Sequence, residues 1–227
     1  MPGLEFDRII ARIHGVSPYE GFDASAHPLD VQGWVGRESV FERLIEEVRP
    51  SVIVEVGTWK GASAILMANA LKARGLDGAI VCVDTWLGSR EHWEMAEWRP
   101  MLGLKHGYPT IYYQFLANVV HSGHADTIIP LPCASTVAYR WLGDIGVTAD
   151  LVYIDASHDQ SEVYSDISSY WTLVSPNGVL FGDDFRREWP GVVKAVQFFA
   201  GLIGRAPTIE GEKWMFRKRD ANAVTPA

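Results

Sequence analysis

The chain is short of cysteine, of basic clusters and of long apolar runs, and each shortage removes a class of protein. Its 227 residues include two cysteines, Cys82 and Cys133. Two cysteines do not make a disulfide framework, and neither stands at a metal-ligand spacing. Each lies in or beside an apolar run, where a thiol acts as a small hydrophobic filler. Lys and Arg number 20 against 28 Asp and Glu, a net charge of −8. Nucleic-acid binding needs clustered Lys and Arg, and the one basic run, Arg217-Lys218-Arg219, decorates a terminal strand near the end. No stretch approaches the roughly 20 apolar residues of a membrane span, and residues 1–10 show no secretory signal. The expectation is a cytoplasmic globular protein that handles a small molecule, with neither nucleic acid nor membrane as partner. A homo-oligomer is compatible with this reading.

What is present is an alternation of strand and helix. Residues 1–37, with Pro18, Pro28 and several glycines, read as an irregular N-terminal extension that covers a site. Val40, Phe41, Leu44, Ile45 and Val48 form a helical stripe, closed before Pro50 because the residue ahead of a proline is pushed out of the helical region. Apolar runs at 52–56, 79–83, 127–131, 150–154 and 179–181 predict five strands. Helices are predicted at 61–74, 160–174 and 191–203, and residues 207–219 read as a hairpin. Strands that are apolar without alternation are buried on both faces, as in a parallel sheet. The predicted fold is therefore α/β: a doubly wound, Rossmann-like, mostly parallel seven-stranded sheet with a C-terminal antiparallel hairpin. Residues 38–219 form the domain, 86–120 an inserted substrate-side segment, and 220–227 a tail.

Ligands of such sheets bind beyond the carboxyl ends of the strands, where the strand order reverses. The first strand runs into Glu55-Val-Gly57-Thr-Trp-Lys-Gly61-Ala-Ser63. Its glycines permit a tight turn and close backbone approach, and the next helix points unpaired N–H groups at the same place. Trp59 stands where a dinucleotide fingerprint needs glycine, and no phosphate loop is present. A carboxylate at Glu55 would repel a pyrophosphate and suits an ammonium group instead. Asp84, directly after the second strand, is placed to accept hydrogen bonds from ribose hydroxyls. Together they describe a nucleoside with an amino-acid tail.

Over residues 51–219 the sequence resembles the class I S-adenosylmethionine-dependent methyltransferases, with residues 55–61 as their first motif and Asp84 as their ribose-binding acid. The resemblance implies S-adenosylmethionine as cofactor, held by Glu55, Gly57, Thr58, Gly61 and Ser63 from the turn. Asp84 and Thr85 would follow from the second strand, Ser135 in the loop after the third near the adenine, and Asp155 after the fourth.

Two acidic clusters point further. Strand four ends at Asp155-Ala-Ser-His158, and strand five at Asp183-Asp184. If the strands are neighbours, three carboxylates converge and need a cation or a proton between them, and hard oxygen ligands select Mg²⁺ or a similar ion. The pattern is similar to metal-dependent O-methyltransferases of the macrocin and catechol types and to the cephalosporin-hydroxylase-like group. In that reading Asp155, Asp183 and Asp184 hold the metal, Asp155 and His158 are catalytic, and His158 is the general base. The expected reaction is O-methylation of a small hydroxylated molecule such as a sugar, phenol or natural product. Trp93, Trp98, Tyr108, Tyr112, Tyr113 and Phe115 in the insert offer either flat walls for it or core packing. A nicotinamide oxidoreductase, a non-catalytic partner subunit and a hydroxylase-like enzyme remain as alternatives.

Overall fold

The computed structural model describes residues 4–32 and 38–219. Residues 1–3, 33–37 and the expected tail at 220–227 lie outside them. A helix, α1 (Leu4–Ile13), comes first, followed by α2 (Glu38–Val48), β1 (Val52–Val56), α3 (Ala62–Ala73) and β2 (Ala79–Asp84). The insert carries α4 (Arg90–Glu94) and α5 (Ile111–His121). Then come β3 (Ile128–Pro132), α6 (Ser135–Asp144), β4 (Ala149–Ile154), α7 (Gln160–Trp171), β5 (Val174–Gly182), α8 (Pro190–Ile203), β6 (Thr208–Glu210) and β7 (Lys213–Arg217).

The seven strands form one sheet in the order β3-β2-β1-β4-β5-β7-β6. The first five are parallel, and β7 runs antiparallel to β5. Alternate residues of each strand enter separate cores, which is why the strands are apolar throughout. Val54, Val81 and Val152 face α1, α6, α7 and α8, whereas Ile53, Ile80 and Leu151 face α2, α3 and α5. Strand order reverses between β1 and β4, so their carboxyl ends frame the expected crevice. No described helix is long and apolar enough to cross a membrane.

Three local expectations are corrected. The N-terminal segment is not irregular throughout, because Phe6, Ile9, Ile10 and Ile13 make a stripe that packs α1 on the core; the glycines and prolines that follow obscure it. α6 was not anticipated, since exposed Val137 and Trp141 blur the narrow buried stripe of Ala138 and Leu142. The helix expected at 160–174 stops at Trp171, and Val174 instead begins β5 opposite Ala149. Asn177, at φ 65°, lies where residues 175–178 depart from the β4 register before Val179 rejoins it opposite Leu151.

Candidate active site

The tips of four parallel strands are knitted by backbone hydrogen bonds: Gly57 N to Val83 O at 2.9 Å, Asp155 N to Val56 O at 2.8 Å and Asp183 N to Ile154 O at 3.2 Å. Gly57 has φ +80°, and a Cβ there would sit 2.2 Å from the Asp155 carbonyl oxygen, so the β1 turn lies directly on the β4 tip. Gly61, at φ 88°, opens α3 without a side-chain cap. Trp59, Trp86 and Asp184 hold left-handed backbone at φ 50°, 52° and 62°. Such non-glycine strain gathers where surrounding structure imposes it, often at functional sites.

Glu55 does not face the crevice. It shares a strand face with Ile53, beneath α3, and has no exposed surface. Its carboxylate accepts hydrogen bonds from the Thr58 hydroxyl at 2.7 Å and from the Ser63 hydroxyl. Burial pushes its carboxyl up to about 7 against the pull of those hydroxyls. Glu55, Thr58 and Ser63 thus brace the turn from inside, which corrects the expectation that Glu55 meets a ligand ammonium directly.

Asp84 stands at the crevice. Its Oδ2 accepts from Thr58 N at 3.0 Å and Trp59 N at 2.9 Å, and its Oδ1 from Trp86 N at 2.7 Å. The Thr85 backbone N–H acts on the same carboxylate. Burial raises its pKa, opposed by these N–H groups. Thr85 beside it is exposed, its hydroxyl accepting from Leu87 N at 3.2 Å. Ser135 is not in a loop. It begins α6, its backbone oxygen bonded by the Tyr170 hydroxyl at 3.0 Å and its side chain engaged with buried Asp166 of α7.

At the β4 and β5 tips the acids do converge. The Tyr153 hydroxyl contacts Asp155 Oδ2 at 2.9 Å and Asp183 Oδ2 at 3.3 Å. Lys213 Nζ, 1% exposed, pairs with Asp183 Oδ2 at 2.7 Å. Asp184 pairs with His158 Nε2 at 2.9 Å and Arg186 at 3.0 Å. Burial pushes the Asp155 carboxyl up to about 7, with Asp183 and Asp184 adding and Lys213 opposing.

The expected metal trio is corrected by this geometry. Among the described residues, the acids whose oxygens lie within 4.8 Å of one another are Asp183, Asp184 and Glu212, not Asp155. Asp183 and Asp184 already spend oxygens on Lys213, His158 and Arg186. Their oxygens are chemically suited to a hard cation; Asp183 Oδ2 and both Asp184 oxygens face cationic side chains, whereas Asp183 Oδ1 accepts from Asp184 N at 2.9 Å.

His158, the expected base, is held by its neighbours. Its ring stacks on Trp189 at 3.6 Å, and Nδ1 lies 3.7 Å from Glu91 of α4. Burial draws its pKa down, but Asp184, Glu91 and Asp155 outweigh that and leave it raised. Sequence reasoning missed Lys213 and Glu91. Lys213 carries no motif, and its signal was only its place in the hairpin beside the acidic strand end. His92 is buried between Trp59 and Trp98 at ring distances of 4.2 and 5.3 Å. Within the insert, Trp86 and Phe115 are core, while Trp93, Tyr108 and Tyr113 are exposed. Beside the β1 turn, a cavity of about 390 Å³ lies between His27, Asp30, Lys60, Met101 and Gln114.

A doubly wound sheet with a glycine turn at its switch point and acids on the flanking tips defines a methyltransferase-type domain. Residues 54–185 match a family model described as a methyltransferase domain. The chain belongs to that family and is a class I S-adenosylmethionine-dependent methyltransferase. Solved structures share the fold at low identity. The O-methyltransferase NovP is 17% identical with a TM-score of 0.64, covering 96% of this chain and 99% of its own. The O-methyltransferase TomG from Streptomyces achromogenes, in complex with S-adenosylmethionine, is 15% identical with a TM-score of 0.57 and covers 95% of each chain. The O-methyltransferase from Bacillus cereus in complex with S-adenosylhomocysteine is 16% identical with a TM-score of 0.55, covering 94% of this chain and 96% of its own. No curated protein matches the chain in sequence.

Proposed function

We propose that the enzyme methylates an oxygen of a small hydroxylated molecule. The observation that carries this reading concerns Asp84 and Asp155. They stand at the tips of β2 and β4, on either side of the β1 turn, and neither has an ion-pair partner among the described residues. Two uncompensated carboxylates in one crevice suit a positively charged ligand. Bound S-adenosylmethionine supplies an electrophilic methyl carbon on a positively charged sulfur.

The chain's own residues then divide the work. Asp84 accepts from ribose hydroxyls while the Gly57 turn permits close approach. Asp155 faces the positive charge and, with its carboxyl near 7, is suited to accept the acceptor hydroxyl's proton near neutral pH. His158 is held by Asp184 and stacked on Trp189 beside this crevice. The cavity beside Lys60 and the exposed Trp93 and Tyr113 provide room and flat faces for a ring or sugar. Solved neighbours named as O-methyltransferases support oxygen as the receiving atom. Assistance by Mg²⁺ stays with this proposal only as an alternative, because Asp183 and Asp184 are already paired.

Titration calorimetry with S-adenosylmethionine tests the reading, followed by S-adenosylhomocysteine release across phenols and sugars. Saturable uptake that Asp84→Ala weakens is expected; folded protein that takes up no cofactor removes the proposal.

A further inference from the structure

We infer that Lys213 is the resident cation of the acidic β4/β5 edge, standing where a divalent metal would otherwise be needed. The register explains its position. Gly182 pairs with Trp214 across β5 and β7, so one step further Asp183 lies opposite Lys213. A Cβ at Gly182 would sit 2.4 Å from the Trp214 ring, and Trp214 Nε1 donates to Asp183 O at 3.0 Å. Glycine here lets β7 close on the strand end and deliver the ammonium.

Burial makes the arrangement informative. Lysine is almost never buried unless paired, and an isolated buried ammonium would lose its proton or unfold the site. Lys213 has direct partners instead. Nζ donates to Asp183 Oδ2 at 2.7 Å and to the Tyr153 hydroxyl at 3.2 Å, and it lies 4.7 and 5.0 Å from the ring centroids of Phe41 and Tyr153. The Tyr153 hydroxyl, bonded to Asp155 as well, links that carboxylate to the same cation. A metal drawing on Asp183 Oδ2 would have to displace this ammonium. Lys213 is thus a positioning residue: it neutralises Asp183 and leaves Asp155 as the acid that faces the cofactor's charge.

The pairing can be measured on ligand-free protein. Its meaning for methyl transfer rests on the function proposed above, so failure to bind S-adenosylmethionine would count against that function and leave the pairing standing. Mn²⁺ uptake is read by loss of the free-ion paramagnetic signal at millimolar metal, with and without S-adenosylmethionine. Wild-type protein is expected to take up none at this edge. Uptake of one equivalent that Asp183→Asn abolishes overturns the inference. A thermal double-mutant cycle gives a second readout. Lys213→Met alone should lower the melting temperature by roughly 10 °C, since it strands the half-buried Asp183 carboxylate, and adding Asp183→Asn should recover at least about half of that loss. Single losses that simply add would show the two residues to be uncoupled and sink the pairing. Should Lys213→Met not fold, Lys213→Arg keeps the metal test open, and it is expected to remain blind to Mn²⁺.

Discussion

Acids stand at both sides of the same crevice, yet the two sides hold them by different means. On the β1/β2 side, Glu55 and Asp84 are satisfied by hydroxyls and backbone N–H groups. On the β4/β5 side, Asp183 and Asp184 are satisfied by Lys213, His158 and Arg186. Neutral donors leave a carboxylate's negative field available to a ligand, whereas cationic partners cancel it. Asp155 belongs between the two, close to the cations but bonded only to a tyrosine hydroxyl. The side that keeps its field should bind the charged cofactor, and the side that cancels it should hold the fold together.

The largest effect is expected where the two sides meet. Gly57→Ala combines a left-handed backbone with a clash on the Asp155 carbonyl. It should cost about 3 kcal/mol or more in urea unfolding; a stable variant would show that the tips are not packed as one unit.

Glu55 sharpens the contrast through pH. Its carboxyl moves from 4.5 to about 7 on folding, so the folded state binds that proton more tightly. The resulting stability is fully present below pH 4.5 and lost as pH rises through 7, by up to ~3 kcal/mol. Stability measured from pH 4.5 to 8 should fall with that sign, Asp155 adding to the slope, and Glu55→Gln should make it shallower by Glu55's share. If the slope is unchanged in the variant, Glu55 is not its source.

Asp84→Asn keeps the shape but removes the charge. The dissociation constant for S-adenosylmethionine should rise about tenfold, ~1.4 kcal/mol, and the melting temperature should fall too, because the amide NH2 must face one of the backbone N–H donors. Unchanged affinity would place Asp84 with the structural acids. The smallest effect belongs to Arg186→Ala, whose side chain is 39% exposed. It should cost under ~1 kcal/mol and leave cofactor affinity unchanged by calorimetry.

Much of this molecule was legible in its residues. Unbroken apolar runs at Val52–Val56 and Ala79–Asp84 announce doubly covered strands, and acids directly after such runs must stand at the sheet's carboxyl edge. Asp84, Asp155, Asp183 and Asp184 were found that way. Glu55 was misjudged because adjacency to the glycine turn says nothing of the face on which a strand residue points, and period two puts it with Ile53 under α3. His158 was assigned as a base from its ordinary pKa, which its neighbours alter.

The sequence by itself determined the alternation of strands and helices, the glycine turn and the acidic strand ends, because local periodicity and backbone freedom are written in consecutive residues. Only the tertiary structure decided which acids carry a counter-charge. Lys213 lies 30 residues from Asp183 and 60 from Tyr153 in the chain, and antiparallel pairing of β7 with β5 brings them together. Electrostatic energy depends on distance in space and on exclusion of water, and neither is set until the sheet closes.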